Sequence, residues 1–122
     1  MKLVYKRKFD AAHHLGQSTY TKNKNEEVYG KCLNTHGHTW WVEFTVCGAV
    51  QETGMLVNFN QLKKLIDRFD HGIINDLLFL PTAENLVSYF LEELQKFDLF
   101  TYIKVKVWES DNAYAEDEWR MR

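Results

Sequence analysis

The chain has 122 residues, 45% hydrophobic and 26% charged, with 15 Lys and Arg against 17 Asp and Glu for a formal net charge of −2. That size suits one domain, 1–122, with a real core, and a balanced charge without a basic block argues against nucleic acid as a partner. No apolar run approaches the roughly 20 residues of a membrane helix, MKLVYKRKF has no secretory apolar stretch, and Cys32 and Cys47 alone make no disulfide framework, so a reducing cytoplasm is the expected setting.

LVYKRKF (3–9) reads as an opening strand, with Leu3, Tyr5 and Arg7 facing away from Val4, Lys6 and Lys8. The segment 16–30 is polar, bounded by glycines and poor in branched residues, which predicts a long loop of the kind that is functional or mobile. HTWWVEFTVCGAV (38–50), rich in β-branched and aromatic residues, is the strongest strand signal. Gly54 marks a turn, after which MLVNF (55–59) is expected to return antiparallel. Phe59, Leu62, Leu65, Ile66 and Phe69 follow at helical spacing, with Asn58 or Asn60 as N-cap. A second helix follows Pro81, with Thr82 as N-cap and Leu86, Val87, Phe90, Leu91 and Leu94 as its apolar stripe. YIKVKVWE (102–109) alternates as a last strand, with Ile103, Val105, Val107 and Glu109 on one face. This order predicts an α+β sandwich on one antiparallel sheet.

Chemistry concentrates in the histidines. His36 and His38 lead into a strand, where residues two apart share a face at roughly 7 Å, so both imidazoles can aim at one point. His13 or His14, near the end of the first strand, can supply a third if the strands are neighbours. Three neutral imidazoles with an open fourth position make a catalytic zinc arrangement, whereas adding Cys32 closes a structural one. The competing reading is of loop histidines satisfied by hydrogen bonds. Asp70-His71 is either a polar helix C-terminus, where a protonated histidine complements the dipole, or a base whose pKa lies near working pH. Glu109, ending an apolar row, either stands at the mouth of a pocket or has left the sheet.

Six segments in order, FDAAHHL (9–15), KCLNTHGH (31–38), GMLVNF (54–59), DH (70–71), PTAEN (81–85) and VWES (107–110), resemble the 6-pyruvoyltetrahydropterin synthase family over nearly the whole chain. Within it, the C-x-x-x-H-G-H spacing resembles the 6-carboxytetrahydropterin synthase branch of the queuosine (7-deazapurine) pathway. The resemblance implies zinc held by His13, His36 and His38, with His14 outside the set. It implies Cys32 as catalytic base, Asp70 and His71 as the relay working with the thiol, and Glu109 as pterin anchor and part of the relay. It further implies that Thr82 lines the pterin pocket from a neighbouring subunit, although an N-cap role also explains that residue.

The family fold implied is the tunnelling fold (T-fold), a four-stranded antiparallel sheet with two helices on one face. Its trimers close their sheets into a barrel and stack into a homo-oligomeric hexamer. The reaction implied is a lyase step on a pterin, 7,8-dihydroneopterin triphosphate going to 6-carboxy-5,6,7,8-tetrahydropterin, acetaldehyde and triphosphate. A 6-pyruvoyltetrahydropterin synthase and a non-catalytic binding module with a closed Cys-His₃ zinc site are the alternatives. Two departures from the family pattern stand out: Asn58 replaces the usual aspartate, and the stretch between His13 and Cys32 is long. The lysines there, Lys22, Lys24 and Lys31, either reach a triphosphate or belong to a solvated loop.

Overall fold

The computed structural model describes residues 1–15 and 22–122. Among these, five strands form one sheet: β1 (Lys2–His13), β2 (His36–Cys47), β3 (Gly72–Ile73), β4 (Tyr102–Ser110) and β5 (Ala113–Arg120), in the order β3-β1-β2-β4-β5. The four long strands pair antiparallel, and the two residues of β3 run parallel to β1. Three helices accompany the sheet: α1 (Lys22–Tyr29), α2 (Phe59–Asp67) and α3 (Ala83–Gln95). The expected α+β architecture is present: a four-stranded antiparallel sheet, extended by β3, with α2 and α3 against one face. No helix among the described residues is long and apolar enough to cross a membrane.

Period-two alternation sets the two faces of the sheet. On β1, Phe9, Ala11 and His13 are buried while Lys2, Lys6 and Lys8 are exposed. On β2, Trp40, Val42, Phe44 and Val46 face the same way, and β4 adds Ile103, Val105 and Val107. Onto this face α2 packs Leu62, Leu65 and Ile66, and α3 packs Leu86, Val87, Phe90, Leu91 and Leu94. Each helix starts on a side-chain cap: Asn58 accepts from the Asn60 amide at 2.9 Å and Thr82 from the Asn85 amide at 3.1 Å.

The structure differs from the sequence expectation at four places. β1 runs on past Phe9 to His13, which brings that histidine opposite His36 in the β1–β2 ladder. MLVNF is not a strand: both edges of β2 are already taken, by β1 and β4, so Leu56 and Val57 enter the core without ladder bonds. Gln51 instead closes a tight turn, its amide donating to the Met55 carbonyl at 2.8 Å, with Gly54 at φ +82°. The fourth long strand is β5, an acidic and mostly exposed edge that follows β4 after a short turn. Finally, part of the expected 16–30 loop is helical, as α1 and a 3-10 turn over Gly30–Leu33. Residues 16–21 and the side chains of Lys22 and Lys24 lie outside the described part.

Candidate metal centre

Three strand ends meet above Trp40. His13 closes β1, His36 and His38 open β2, and Glu109 lies near the end of β4. Strand pairing sets His13 across from His36 and Ala11 across from His38, so all three imidazoles rise from the core face of the sheet. Beneath them Trp40 is fully buried, its ring edge-on to His13 at 4.9 Å and to His38 at 5.5 Å between centroids. Glu109 sits where the β4–β5 register shifts between Trp108 and Ser110. Alternation along β4 sets Glu109 on the face of Ile103, Val105 and Val107, and its carboxylate meets the histidines there.

One donor atom from each of His13, His36, His38 and Glu109 lies within 4.8 Å of all the others. His13 Nε2 is 2.9 Å from His36 Nε2. Glu109 Oε1 is 3.1 Å from His38 Nε2 and 3.7 Å from His13 Nε2. The outer nitrogens fix the chemistry of the inner ones. His13 Nδ1 donates to the Pro81 carbonyl at 2.8 Å and His36 Nδ1 to the Asn34 carbonyl at 2.6 Å. A carbonyl only accepts, so each neutral ring carries its proton on Nδ1 and turns a bare lone pair inward from Nε2. Such outward hydrogen bonds are how metal-binding histidines are oriented.

Burial favours the neutral form of His13 and His38. The His13 pKa is lowered by desolvation, which outweighs the raising effects of the Pro81 hydrogen bond and Glu109. His38 is lowered for the same leading reason. The His38 Nε2 atom is buried and makes no hydrogen bond, its short approach to Glu109 lacking hydrogen-bond geometry. Two facing lone pairs and one orphaned buried nitrogen are unfavourable with nothing between them. Nitrogens about 2.0 Å from a tetrahedral ion stand about 3.3 Å apart, close to the spacing observed. The donor set therefore fits a divalent cation such as zinc.

The other residues singled out in the sequence fall around this cluster. Cys32 is half-buried, outside the donor group, in the turn whose carbonyl accepts from the Leu15 amide at 2.9 Å. His14 contributes backbone only: Asn75 brackets it, accepting from its amide and donating to its carbonyl, both at 2.9 Å. His71 follows α2 in the left-handed region at φ +58°, which turns its ring back onto the preceding residue. Its Nδ1 donates to Asp70 Oδ2 at 2.8 Å, and Asp70 Oδ1 accepts from the Asp10 amide at 2.9 Å. That backbone donor is the main reason the Asp70 pKa is lowered. His71 leaves its Nε2 toward solvent, at the rim of a pocket of about 460 Å³ walled by Asp10, Ala12, Gly37, His38 and Thr39. Glu109 and Thr82 do not line that pocket: Glu109 is turned to the histidines, and the Thr82 hydroxyl is engaged as the cap of α3.

Pro81, Asn34, Trp40 and Asn75 support the site without any signal in spacing or charge. Pro81 and Asn34 act through a backbone carbonyl, Trp40 through a ring edge and Asn75 by bracketing the His14 backbone. The exception in hindsight is PTAEN, where the cap of α3 and the Pro81 carbonyl that orients His13 are adjacent.

A family model described as 6-pyruvoyl tetrahydropterin synthase matches residues 2–118. A Dictyostelium discoideum protein named 6-pyruvoyl tetrahydrobiopterin synthase is 34% identical over 119 residues, 88% of this chain and 87% of that protein. An Archaeoglobus fulgidus protein whose provisional name is 6-carboxy-5,6,7,8-tetrahydropterin synthase is 34% identical over 90 residues, 70% of this chain and 77% of its own. The solved structure of the Caenorhabditis elegans 6-pyruvoyl tetrahydropterin synthase superposes with a TM-score of 0.77 at 26% identity, covering 100% of this chain and 96% of that one.

Proposed function

Since the chain belongs to the 6-pyruvoyl tetrahydropterin synthase family, we propose that it is a zinc-dependent 6-carboxy-5,6,7,8-tetrahydropterin synthase of the queuosine (7-deazaguanine) route. It converts 7,8-dihydroneopterin triphosphate to 6-carboxytetrahydropterin, acetaldehyde and triphosphate. The observation that carries this reading is the convergence of the His13, His36 and His38 Nε2 atoms. The spacing of Cys32 ahead of His36 and the name of the Archaeoglobus relative support the carboxy branch.

When bound, zinc supplies Lewis-acid polarisation of oxygens on the substrate side chain. The remaining work belongs to the chain. Cys32, as the thiolate, takes a proton from the substrate side chain. His71, held by Asp70 through Nδ1, exchanges protons through its outward Nε2. Glu109 accepts from the amino-pyrimidine edge of the pterin and fixes the ring relative to the metal. Thr82 closes the pterin pocket of a neighbouring subunit. Residues 1–122 act as one domain of a homo-oligomer in which trimers close their sheets into a barrel and two trimers stack. The unpaired edge of β5, exposed here, favours such closure.

The name of the Dictyostelium relative favours a second reading, formation of 6-pyruvoyltetrahydropterin. A closed Cys-His₃ binding module is less well supported, since Glu109 rather than Cys32 joins the donor group. Incubating the purified zinc protein with 7,8-dihydroneopterin triphosphate and weighing the products separates them. The 6-carboxy product with acetaldehyde is expected; the 6-pyruvoyl product selects the second reading, and no turnover at full zinc loading removes both.

A further inference from the structure

The position of Glu109 does not match the single task of holding a pterin. Its carboxylate reaches the histidine cluster, with Oε1 at 3.1 Å from His38 Nε2 and 3.7 Å from His13 Nε2, and it does not line the neighbouring pocket. The His38 contact is short, yet it is not a hydrogen bond. Two donors that each aim at a shared ion, rather than at one another, show this combination. The four donor atoms lie within 4.8 Å of one another, near enough for small side-chain shifts to close them on one ion. Alternation along β4 after Ile103, Val105 and Val107 places Glu109 on this face from the backbone, so the approach does not rest on a side-chain rotamer alone. At 37% exposure the side chain also has solvent beside it, and no hydrogen bond among the described residues ties it down.

The geometry points to two mutually exclusive partners for Glu109: without substrate it is the fourth ligand of the metal, and a pterin draws it off, opening the coordination position. The exclusivity is chemical. Gripping the paired N–H groups of an amino-pyrimidine edge takes the syn lone pairs of both carboxylate oxygens and turns them toward the ring, away from the direction in which they would hold the ion. The metal is then closed to water, stray anions and thiols until a pterin is seated. By linkage, each event weakens the competing use of the carboxylate. This inference rests on the pterin reading given above for its second half only; ligation in the resting protein stands apart from it.

The test uses the cobalt(II)-loaded protein, whose visible absorption reports the ligand set without turnover. Glu109→Gln is expected to change the resting cobalt bands and to weaken metal retention against a chelator by roughly tenfold or more. Glu109→Asp, which keeps a carboxylate, serves as the folding control, with circular dichroism on each variant. Adding neopterin, which lacks the triphosphate, is expected to move the wild-type spectrum toward that of Glu109→Gln and to leave the variant's bands in place. Identical resting spectra and chelator resistance in wild type and Glu109→Gln overturn the ligation. Neopterin that binds, seen by fluorescence, without moving the wild-type bands overturns the exchange. If neopterin fails to bind at all, the pterin reading falls, and the Glu109→Gln spectrum still decides whether Glu109 is a ligand.

Discussion

His13 and His36 face each other across the β1–β2 ladder with their Nε2 atoms 2.9 Å apart, while each gives its only ring proton to a backbone carbonyl on the far side. The pair is repulsive when empty and satisfied by one cation, so metal and fold are thermodynamically linked.

A ligand that binds only the folded state stabilises it by RT ln(1 + [L]/Kd), about 2.7 kcal/mol at a hundredfold excess over Kd. For a domain of this size that raises Tm by roughly 10 °C. Calorimetry with zinc and with a chelator is expected to show this difference, and His13→Ala or His36→Ala to abolish it. Equal Tm values in the wild type would mean the cluster holds no ion.

Cys32 stands outside the donor group. Cys32→Ala is therefore expected to keep its zinc while turnover falls by about 10²–10⁴-fold, the range for removing a general base. Metal content and steady-state rates on one preparation decide the matter: zinc lost together with activity would make Cys32 a ligand.

Asp70 couples folding to pH. Its folded-state pKa lies below the ordinary carboxylate value because it accepts from the Asp10 amide and then from His71. The unfolded chain thus binds that proton more readily, and stability rises with pH through this range. The Asp70 contribution is complete above the usual carboxylate range and is lost as pH falls through the lowered folded value. Denaturant titrations should find Asp70→Asn less stable than wild type at neutral pH, with the gap narrowing in strong acid. A gap independent of pH would show that the charge contributes nothing.

Gly48 follows β2 where the chain passes close to Leu99. A Cβ there would sit 2.5 Å from the Leu99 carbonyl oxygen and 2.7 Å from Leu56 Cδ1, whereas at Gly37 nothing lies within 4 Å. Gly48→Ala is expected to lose about 1–3 kcal/mol by overpacking, and Gly37→Ala less than about 0.5 kcal/mol. Urea midpoints of the two variants check the contrast.

Asn58 accepts from the Asn60 amide at the start of α2. Asn58→Asp should leave stability within a few tenths of a kcal/mol, while Asn58→Ala should lose about 1 kcal/mol, as removal of an N-cap does. A large change in turnover for Asn58→Asp at unchanged stability would assign this position a role beyond capping.

Elements with a buried face were legible in the sequence. α2 and α3 carry apolar stripes and cap residues, and β2 and β4 carry alternating branched and aromatic side chains, so their positions followed within a few residues. β5 was not legible, because an edge strand with little burial needs no apolar alternation: Glu116, Asp117 and Glu118 read as solvent-facing in any conformation. The helix α1 escaped for a related reason, since KNKNEEVY has helix formers but no apolar stripe. MLVNF misled because Leu56 and Val57 are buried as a strand's would be, and only the full occupancy of both β2 edges excludes pairing. At the site, H-x-H spacing on a strand was enough to draw His36 and His38 together. His13 needed knowledge of which strands are neighbours, and the Pro81 and Asn34 carbonyls leave no trace in residue type.

The β1–β2 ladder aligns His13 with His36 and Ala11 with His38. A slip of one residue would send His13 to the opposite face of the sheet from the β2 histidines. Only the correct threading brings the three imidazoles together, so an ion held by them would act as a checksum on strand alignment. Variants that loosen the β1–β2 seam are expected to lose metal retention before they lose secondary structure.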